Sequence, residues 1–464
     1  MTHKHSVAIF GAAVAGSEAA ATLASHDVEV FVFEQNALPY GKIEYGLPMW
    51  HIKLRDKYEK IIDEKLDHPG VRFMPLVKLG RDLSFSDVVE KWPFQVVLLA
   101  TGAWRDRPLP VPGVDDYIGR GFYYQNPLVS WFNQKHDPAY QGPGFDLKEG
   151  AIIIGGGLAS IDVAKIVMLE TFMARAREMG REIDLFTLER LGLPAAAEQL
   201  ELDLKQMNLK PCTIYYRRRR IDMPLSSNPE VESEEAWAKV HNVREKILTR
   251  AQGKYLFKVE ELHSPVKTIV ERDRLAGLVF RKNEIRDGRL QAVADSDYEV
   301  QAPLVISSIG SIPEPIEGVP WEGEKMALAD VNTGRVKGWD HVYVLGNALT
   351  GKGNIKESLH HGRKISENIA REYLGLQETA DEAYEIKLPI ADQIDNLKKE
   401  IESRPPLSKE EYDYLCQCVG DACHCMVGEG EIPGCTCTHY KDWIETHMPL
   451  RLENMIRDKQ NEQK

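Results

Sequence analysis

The first apolar run, residues 6–10, is short and shows no polar alternation, the pattern of a strand buried on both faces. A small-residue turn, Gly11-Ala-Ala-Val-Ala-Gly16, opens an alanine-rich helical stretch to about Ser25. A second apolar strand, 28–33, ends on Glu34. Together they predict a βαβ unit with a carboxylate at the tip of its second strand. Residues 95–101 read as another buried strand, closed by Gly102. The pattern then restarts, with an apolar strand at 151–154, a turn from Gly155 to Ser160, and a long helical segment from Ile161. A strand at 213–216 runs into Arg217–Arg218–Arg219–Arg220, and residues 170–210 read as an added helical excursion. Two further buried strands, 304–309 and 342–345, each end on glycine (Gly310 and Gly346).

This order predicts an α/β chain with two nested Rossmann-like units, the second inserted into the first. The expected divisions are 1–110 and 311–375 for the outer unit and 111–310 for the insertion. Residues 376–464 are expected to form a small, acidic, cysteine-rich helical tail, reached through a polar stretch and an Arg404-Pro-Pro linker.

Composition narrows the picture. Among 464 residues, 43% are hydrophobic and 28% charged, enough apolar material for several cores. Mean hydropathy is −0.35 and no apolar run approaches about 20 residues, which argues against a membrane span. The start, MTHKHSVAIFGA, carries no cleavable signal pattern. Six of the seven cysteines stand between residues 416 and 437, unlike a disulfide-stapled secreted fold, so a reducing cytoplasm is expected. A net charge of −13 argues against a general nucleic-acid binder, and residues 376–464, with 10 Lys/Arg against 19 Asp/Glu, carry most of it.

A glycine turn between strand and helix lets a diphosphate meet backbone N–H groups at the positive end of a helix. In the first unit Gly11 and Gly16 hold the outer positions, and Ala13 stands in for the middle glycine. Glu34, 18 residues past Gly16, sits where a carboxylate binds the ribose hydroxyls of an adenosine. In the second unit Gly155 and Gly157 are followed by the small Ser160, and the second strand ends in arginines. Guanidinium groups suit a 2′-phosphate, so Arg217 and Arg218 favour NADP(H), while Arg219 and Arg220 are as consistent with a solvated loop. An acid-tipped unit holding FAD and an arginine-tipped unit holding NADPH is the economical assignment.

At this point the chain resembles a family, over roughly residues 6–374. The segments GAAVAGSEAA, PYGKIEYGLPMWHIK, VVLLATGAWRDRPLPVPG, IIIGGGLASIDVAKI, YYRRRRIDMP and VYVLGNALTGKGNIKESLHHG are similar to the adrenodoxin reductase-type ferredoxin–NADP reductases and to the small subunit of glutamate synthase. The resemblance implies an FAD domain interrupted by an NADP domain. It also implies hydride transfer to the flavin, followed by single-electron transfer to a ferredoxin-like iron–sulfur carrier or a larger redox subunit. By position it adds Gly41, Thr101, Gly102, Gly346, Asn347, Gly353, Asn354 and Ile355 as FAD contacts, and His51 and Asp162 as groups handling protons near the flavin. Asn347 departs from the tryptophan or aspartate usual at its position. Cys212 is the only cysteine of the body, which excludes dithiol chemistry at the flavin unless the tail folds back onto it. A redox sensor or scaffold, switched by the tail, is the reading from another class.

In the tail, Cys416-x-Cys418, Cys423-x-Cys425 and Cys435-x-Cys437 form three C-x-C pairs. Disulfides are strained at that spacing, but thiolates can converge on one soft cation. An iron–sulfur cluster is expected, with zinc as the alternative and free thiols as the plain reading.

Overall fold

The computed structural model describes residues 5–26, 28–226, 228–229, 231–331, 333–349, 391–423, 425–427 and 436–462. Its first half opens with β1 (His5–Phe10), α1 (Val14–Ala24), β2 (Val28–Glu34), α2 (Lys42–Tyr45), α3 (Ile52–Leu66), β3 (Val71–Pro75), α4 (Phe85–Glu90) and β4 (Val96–Leu99). β1 pairs in parallel with both β2 and β4, and nearly every residue of these strands is buried, as the unbroken apolar runs require. The short β5 (Arg105–Asp106) leads into the second unit: β6 (Phe122–Tyr124), α5 (Gln125–Gln134), β7 (Ile152–Gly155), α6 (Leu158–Glu178), α7 (Leu185–Leu191), α8 (Leu193–Gln199), α9 (Leu204–Met207), β8 (Thr213–Tyr216), α10 (Glu234–Tyr255) and β9 (Lys258–Glu261). Three short helices thus fill the stretch read as an excursion. An antiparallel group that the hydrophobic pattern did not announce follows: β10 (His263–Glu271), β11 (Arg274–Arg286), β12 (Arg289–Ala292) and β13 (Tyr298–Gln301). β14 (Val305–Ser308) then returns to the second unit, pairing in parallel with β6 and β7, so that this sheet runs β6-β14-β7-β8-β9.

The chain recrosses to the first unit through β15 (Ser311–Ile312), which pairs antiparallel with β5. A small hairpin, β16 (Trp321–Glu322) and β17 (Lys325–Met326), precedes β18 (Leu328–Asp330), β19 (Arg335–Val336) and β20 (Val342–Val344). β20 joins β4 in parallel. The tail departs from the expected purely helical module. It contributes β21 (Cys425–Val427) and β22 (Thr436–Thr438), which extend the first sheet to β18-β19-β20-β4-β1-β2-β3-β21-β22. The physical reason is the open edge of β3, which an antiparallel contact of Val427 with Phe73 covers. Nor is 404–408 a loose linker: Gln95 Nε2 donates to the Pro405 carbonyl at 2.6 Å and Leu407 is buried.

Both faces of the first sheet are covered partly by the tail. Ile394, Leu397, Ile401, Tyr440 and Ile444 pack on one face, and Leu407, Leu415, Val419 and Met426 on the other. Between the two units the contact is apolar: Met49, Trp50, Leu54 and Tyr58 of the first join the core around α6.

Candidate dinucleotide and flavin site

The turn after β1 is sterically committed. Gly11 has φ +103°, and a Cβ there would lie 2.4 Å from the Ala100 carbonyl oxygen; one on Gly16 would lie 1.8 Å from the Gly11 oxygen. These clashes let α1 approach the sheet closely, the task of the outer glycines in such turns. Ala13 fits because it occupies the cap of α1 in extended conformation. Opposite it, Gly41 (φ +55°) could carry no Cβ without meeting Ala13 Cβ at 2.8 Å, and Gly346 (φ +62°) is held in the same way against Ala15.

Glu34 is buried at the tip of β2. Its Oε2 accepts from Ala12 N–H at 2.9 Å, and its Oε1 from Asn36 N–H and Nδ2 at 3.0 and 2.9 Å. Burial raises its pKa, with those donors opposing. Asn36 fills both acceptor sites of Oε1, while Oε2 keeps a lone pair that a ribose hydroxyl can use.

These groups border one cavity of about 560 Å³. It brings together Gly11, Ala13, Glu34, Gly41, Thr101, Gly102, Asp162, Gly346 and Asn347 of the expected set. The first turn of α6, Leu158 and Ala159, also borders it, so the helix that follows the second glycine turn reaches the same cleft. The cradle fits FAD: a glycine-walled turn against a helix start, a buried carboxylate for the ribose, and a long apolar trough. Lys42 and Trp104 line it too and were not singled out from the sequence, although both stand in quoted segments. Lys42 Nζ donates to Ser311 Oγ at 2.8 Å and to Asn126 Oδ1 at 3.1 Å, tying the first unit to the second. Burial brings Lys42 down to about 8 with Asp106 opposing, and burial brings Asp106 up to about 6.

Beyond the cavity, Gly155 and Gly157 stand where β7 turns into α6. A Cβ on Gly155 would meet Ser160 Oγ at 2.2 Å and the Ser308 oxygen at 2.3 Å, whereas Gly157, capping α6, faces open space. Ser160 Oγ donates to the Ser308 oxygen at 3.1 Å, so a serine closes helix on strand where a third glycine is usual. Gly156, which the spacing did not mark, is required by Tyr216, whose ring would lie 2.2 Å from its Cβ. The four arginines divide. Arg219 pairs with Asp222 and Arg220 with Glu245, while Arg217 and Arg218 have no ion pair among the described residues.

His51 caps α3 and is buried, with its Nε2 3.6 Å from Asp162 Oδ1. Asp162 borders the cavity and His51 stands behind it. Gly353, Asn354, Ile355 and Cys435 lie outside the described residues.

Cys416 and Cys418 stand on one helix, Lys409–Ala422, about 200° apart around its axis. Cys416 is buried beside Tyr412, and burial raises its thiol pKa; Cys418 is half-buried beside the Tyr414 hydroxyl. Cys423 is buried at the end of that helix, and Cys425 and Cys437 lie on β21 and β22. Among the described residues, no three His, Cys, Asp or Glu side chains form a metal-holding group. Cys212 is fully buried against the Ala164 carbonyl, its pKa raised by burial, remote in character from a redox thiol. Nor is any described helix long and apolar enough to cross a membrane.

Fold and cleft together define a two-dinucleotide oxidoreductase of the flavoprotein class. Residues 5–209 match the profile of the pyridine nucleotide-disulphide oxidoreductases. The NADPH:adrenodoxin oxidoreductase of Salvelinus fontinalis is 24% identical over 379 residues, 74% of each chain. NADPH-ferredoxin reductase FprA of Mycobacterium leprae is 24% identical over 79% of this chain and 85% of its own. The NADPH glutamate synthase small chain of Mycobacterium tuberculosis is 24% identical over 80% of this chain and 67% of its own. Among solved structures, Mycobacterium tuberculosis FprA in complex with NADPH shares the fold, with a TM-score of 0.59 at 20% identity over 90% of each chain. The resemblance drawn from the sequence therefore holds: the chain is a pyridine nucleotide-dependent flavoprotein oxidoreductase, similar to the adrenodoxin reductase-type enzymes.

Proposed function

We propose that this chain takes a hydride from NADPH onto a bound FAD and passes the electrons on to an iron–sulfur carrier protein or partner subunit. The observation that carries it is the single cleft bordered by the first glycine turn and by the start of α6, the helix behind the second. Bound there, a flavin supplies the chemistry of accepting two electrons at once and releasing them singly. Gly11, Gly16 and Glu34 hold the adenosine and diphosphate, with Gly41, Thr101, Gly102, Gly346 and Asn347 along the rest. Gly155 and Gly157 receive the pyridine dinucleotide, and Arg217 and Arg218, with no carboxylate partner among the described residues, are left for the 2′-phosphate. His51 and Asp162 are the proton-handling pair at the cavity edge.

Stopped-flow flavin reduction tests the cofactor assignment. Arg217→Ala combined with Arg218→Ala is expected to raise the KM for NADPH about tenfold or more while leaving NADH nearly unchanged. Equal changes for both nucleotides would refute it. The likeness to the glutamate synthase small chain supports a second acceptor, a larger redox subunit, which would co-purify with the chain. For the tail we propose a metal or iron–sulfur site that leaves Cys416 to the core and draws on Cys418, Cys423, Cys425, Cys435 and Cys437. Its support is the C-x-C spacing and the acidic, thiol-rich composition. Thiols used in this way place the protein in a reducing compartment such as the cytoplasm.

A further inference from the structure

One buried charge beside this site has no part in the chemistry above. Lys165 of α6 is 1% exposed, and its Nζ lies 3.0 Å from Glu189 Oε1. It also stands 4.1 Å from the centre of the Trp50 ring and 4.9 Å from that of Tyr255. A desolvated ammonium is tolerated only with a well-placed partner. Glu189 is itself fixed by the Tyr255 hydroxyl at 2.6 Å and approached by Lys254 at 3.9 Å. The ammonium is thus held against an indole.

That indole connects it to the catalytic pair. Trp50 Nε1 donates to His51 Nε2 at 3.0 Å. A ring nitrogen accepting this bond carries no proton, so a neutral His51 has its hydrogen on Nδ1. An imidazolium would instead set an N–H at Nε2 against the indole N–H. A cation over an indole strengthens the donor at its edge, and its own charge disfavours a second positive charge nearby. His51 is faced by Asp162 from α6, with Lys165 of the same helix against the Trp50 ring and Arg55 and Glu59 following on its own helix α3. Glu189 of α7 and Lys254 and Tyr255 of α10 stand behind Lys165.

We propose that Lys165, acting through Trp50, is a positioning residue that keeps His51 neutral in its Nδ1-protonated tautomer. His51 then stands beside Asp162 as a neutral imidazole, its Nε2 lone pair engaged by Trp50, and not as an acid. The catalytic meaning of this arrangement rests on the flavin-reduction reading; the tautomer does not.

Long-range proton–nitrogen spectra of the ¹⁵N-histidine-labelled flavoprotein, assigned with His51→Gln, test it. The wild type is expected to show a neutral His51 at pH 7 with Nδ1 protonated. Lys165→Met should raise the His51 pKa by about one unit, and Lys165→Arg should restore it. Trp50→Phe removes the donor and should populate the Nε2–H tautomer. Because it leaves the Lys165–Glu189 pair intact, it carries the test even if Lys165→Met does not fold. An imidazolium or Nε2–H form in the wild type at pH 7 overturns the proposal. So does a His51 resonance unmoved by Trp50→Phe. The spectra need no nucleotide, so a protein with this tautomer that never oxidises NADPH would refute the proposed function alone.

Discussion

Position 156 shows how a single side chain elsewhere dictates a residue. With the Tyr216 ring 2.2 Å from where a Cβ would stand, Gly156→Ala is overpacked, and a loss of about 1–3 kcal/mol in urea unfolding is expected. Tyr216→Ala in the double variant should recover most of it, a coupling that a double-mutant cycle reads directly. Glu189 offers a second test at this scale. Burial would raise its pKa, but Lys165, Lys254 and Tyr255 together bring it down to about 2. A carboxylate depressed in the folded state stabilises fully above its unfolded value, and that contribution fades as pH falls from about 4.5 to 2. Glu189→Gln should therefore flatten the acid limb of the stability curve in this window, measured by urea titrations across pH. Outer glycines, Glu34 and the arginine run were legible in the chain because their roles follow from local geometry. Gly156, Lys42 and Lys165 were not, since each answers to a neighbour distant in sequence.

Among elements, α2 and α3 depend on the tail. Arg451 bridges Glu44 at 2.8 Å and Glu59 at 2.7 Å, and Arg55 pairs with Glu453. Burial pushes Glu59 up to about 7 against the opposing pull of Arg451, so this guanidinium is what makes two adjacent buried carboxylates tolerable. Arg451→Met leaves both without it. A destabilisation of about 3–5 kcal/mol is expected in denaturant unfolding. Because Gly41 and Lys42 border the flavin cleft from this segment, faster loss of FAD on dilution should accompany it, followed by flavin fluorescence. Trp443 Nε1, donating to the Ala37 carbonyl at 2.8 Å, and Tyr440, donating to Asp63 at 2.8 Å, pin the same region. None of this was readable beforehand. Charged residues near a chain end look like a solvated face until a partner some 390 residues away is in place.

At the scale of the whole molecule, the tail is part of the first sheet's architecture. It supplies two strands at one edge and apolar cover on both faces. Deleting residues 391–464 should consequently yield aggregated protein, whereas a detachable cysteine module would leave a soluble flavoprotein; sedimentation of the two products distinguishes these outcomes. The two dinucleotide units meet through the apolar Trp50 region and the Lys42–Asn126–Ser311 contacts, and α6 of the second adds Leu158, Ala159 and Asp162 to the cleft.

From the chain alone came the two nested βαβ patterns, the acid and arginine tips, and hence the pair of cofactors. These depend on short-range rules: what a tight turn admits, and which charge suits a ribose or a phosphate. Three-dimensional packing alone decided which arginines pair with carboxylates, that Cys416 belongs to a core, and that an acidic tail is a structural brace. Those outcomes turn on burial and on partners hundreds of residues apart, and neither quantity is defined until the polypeptide has closed on itself.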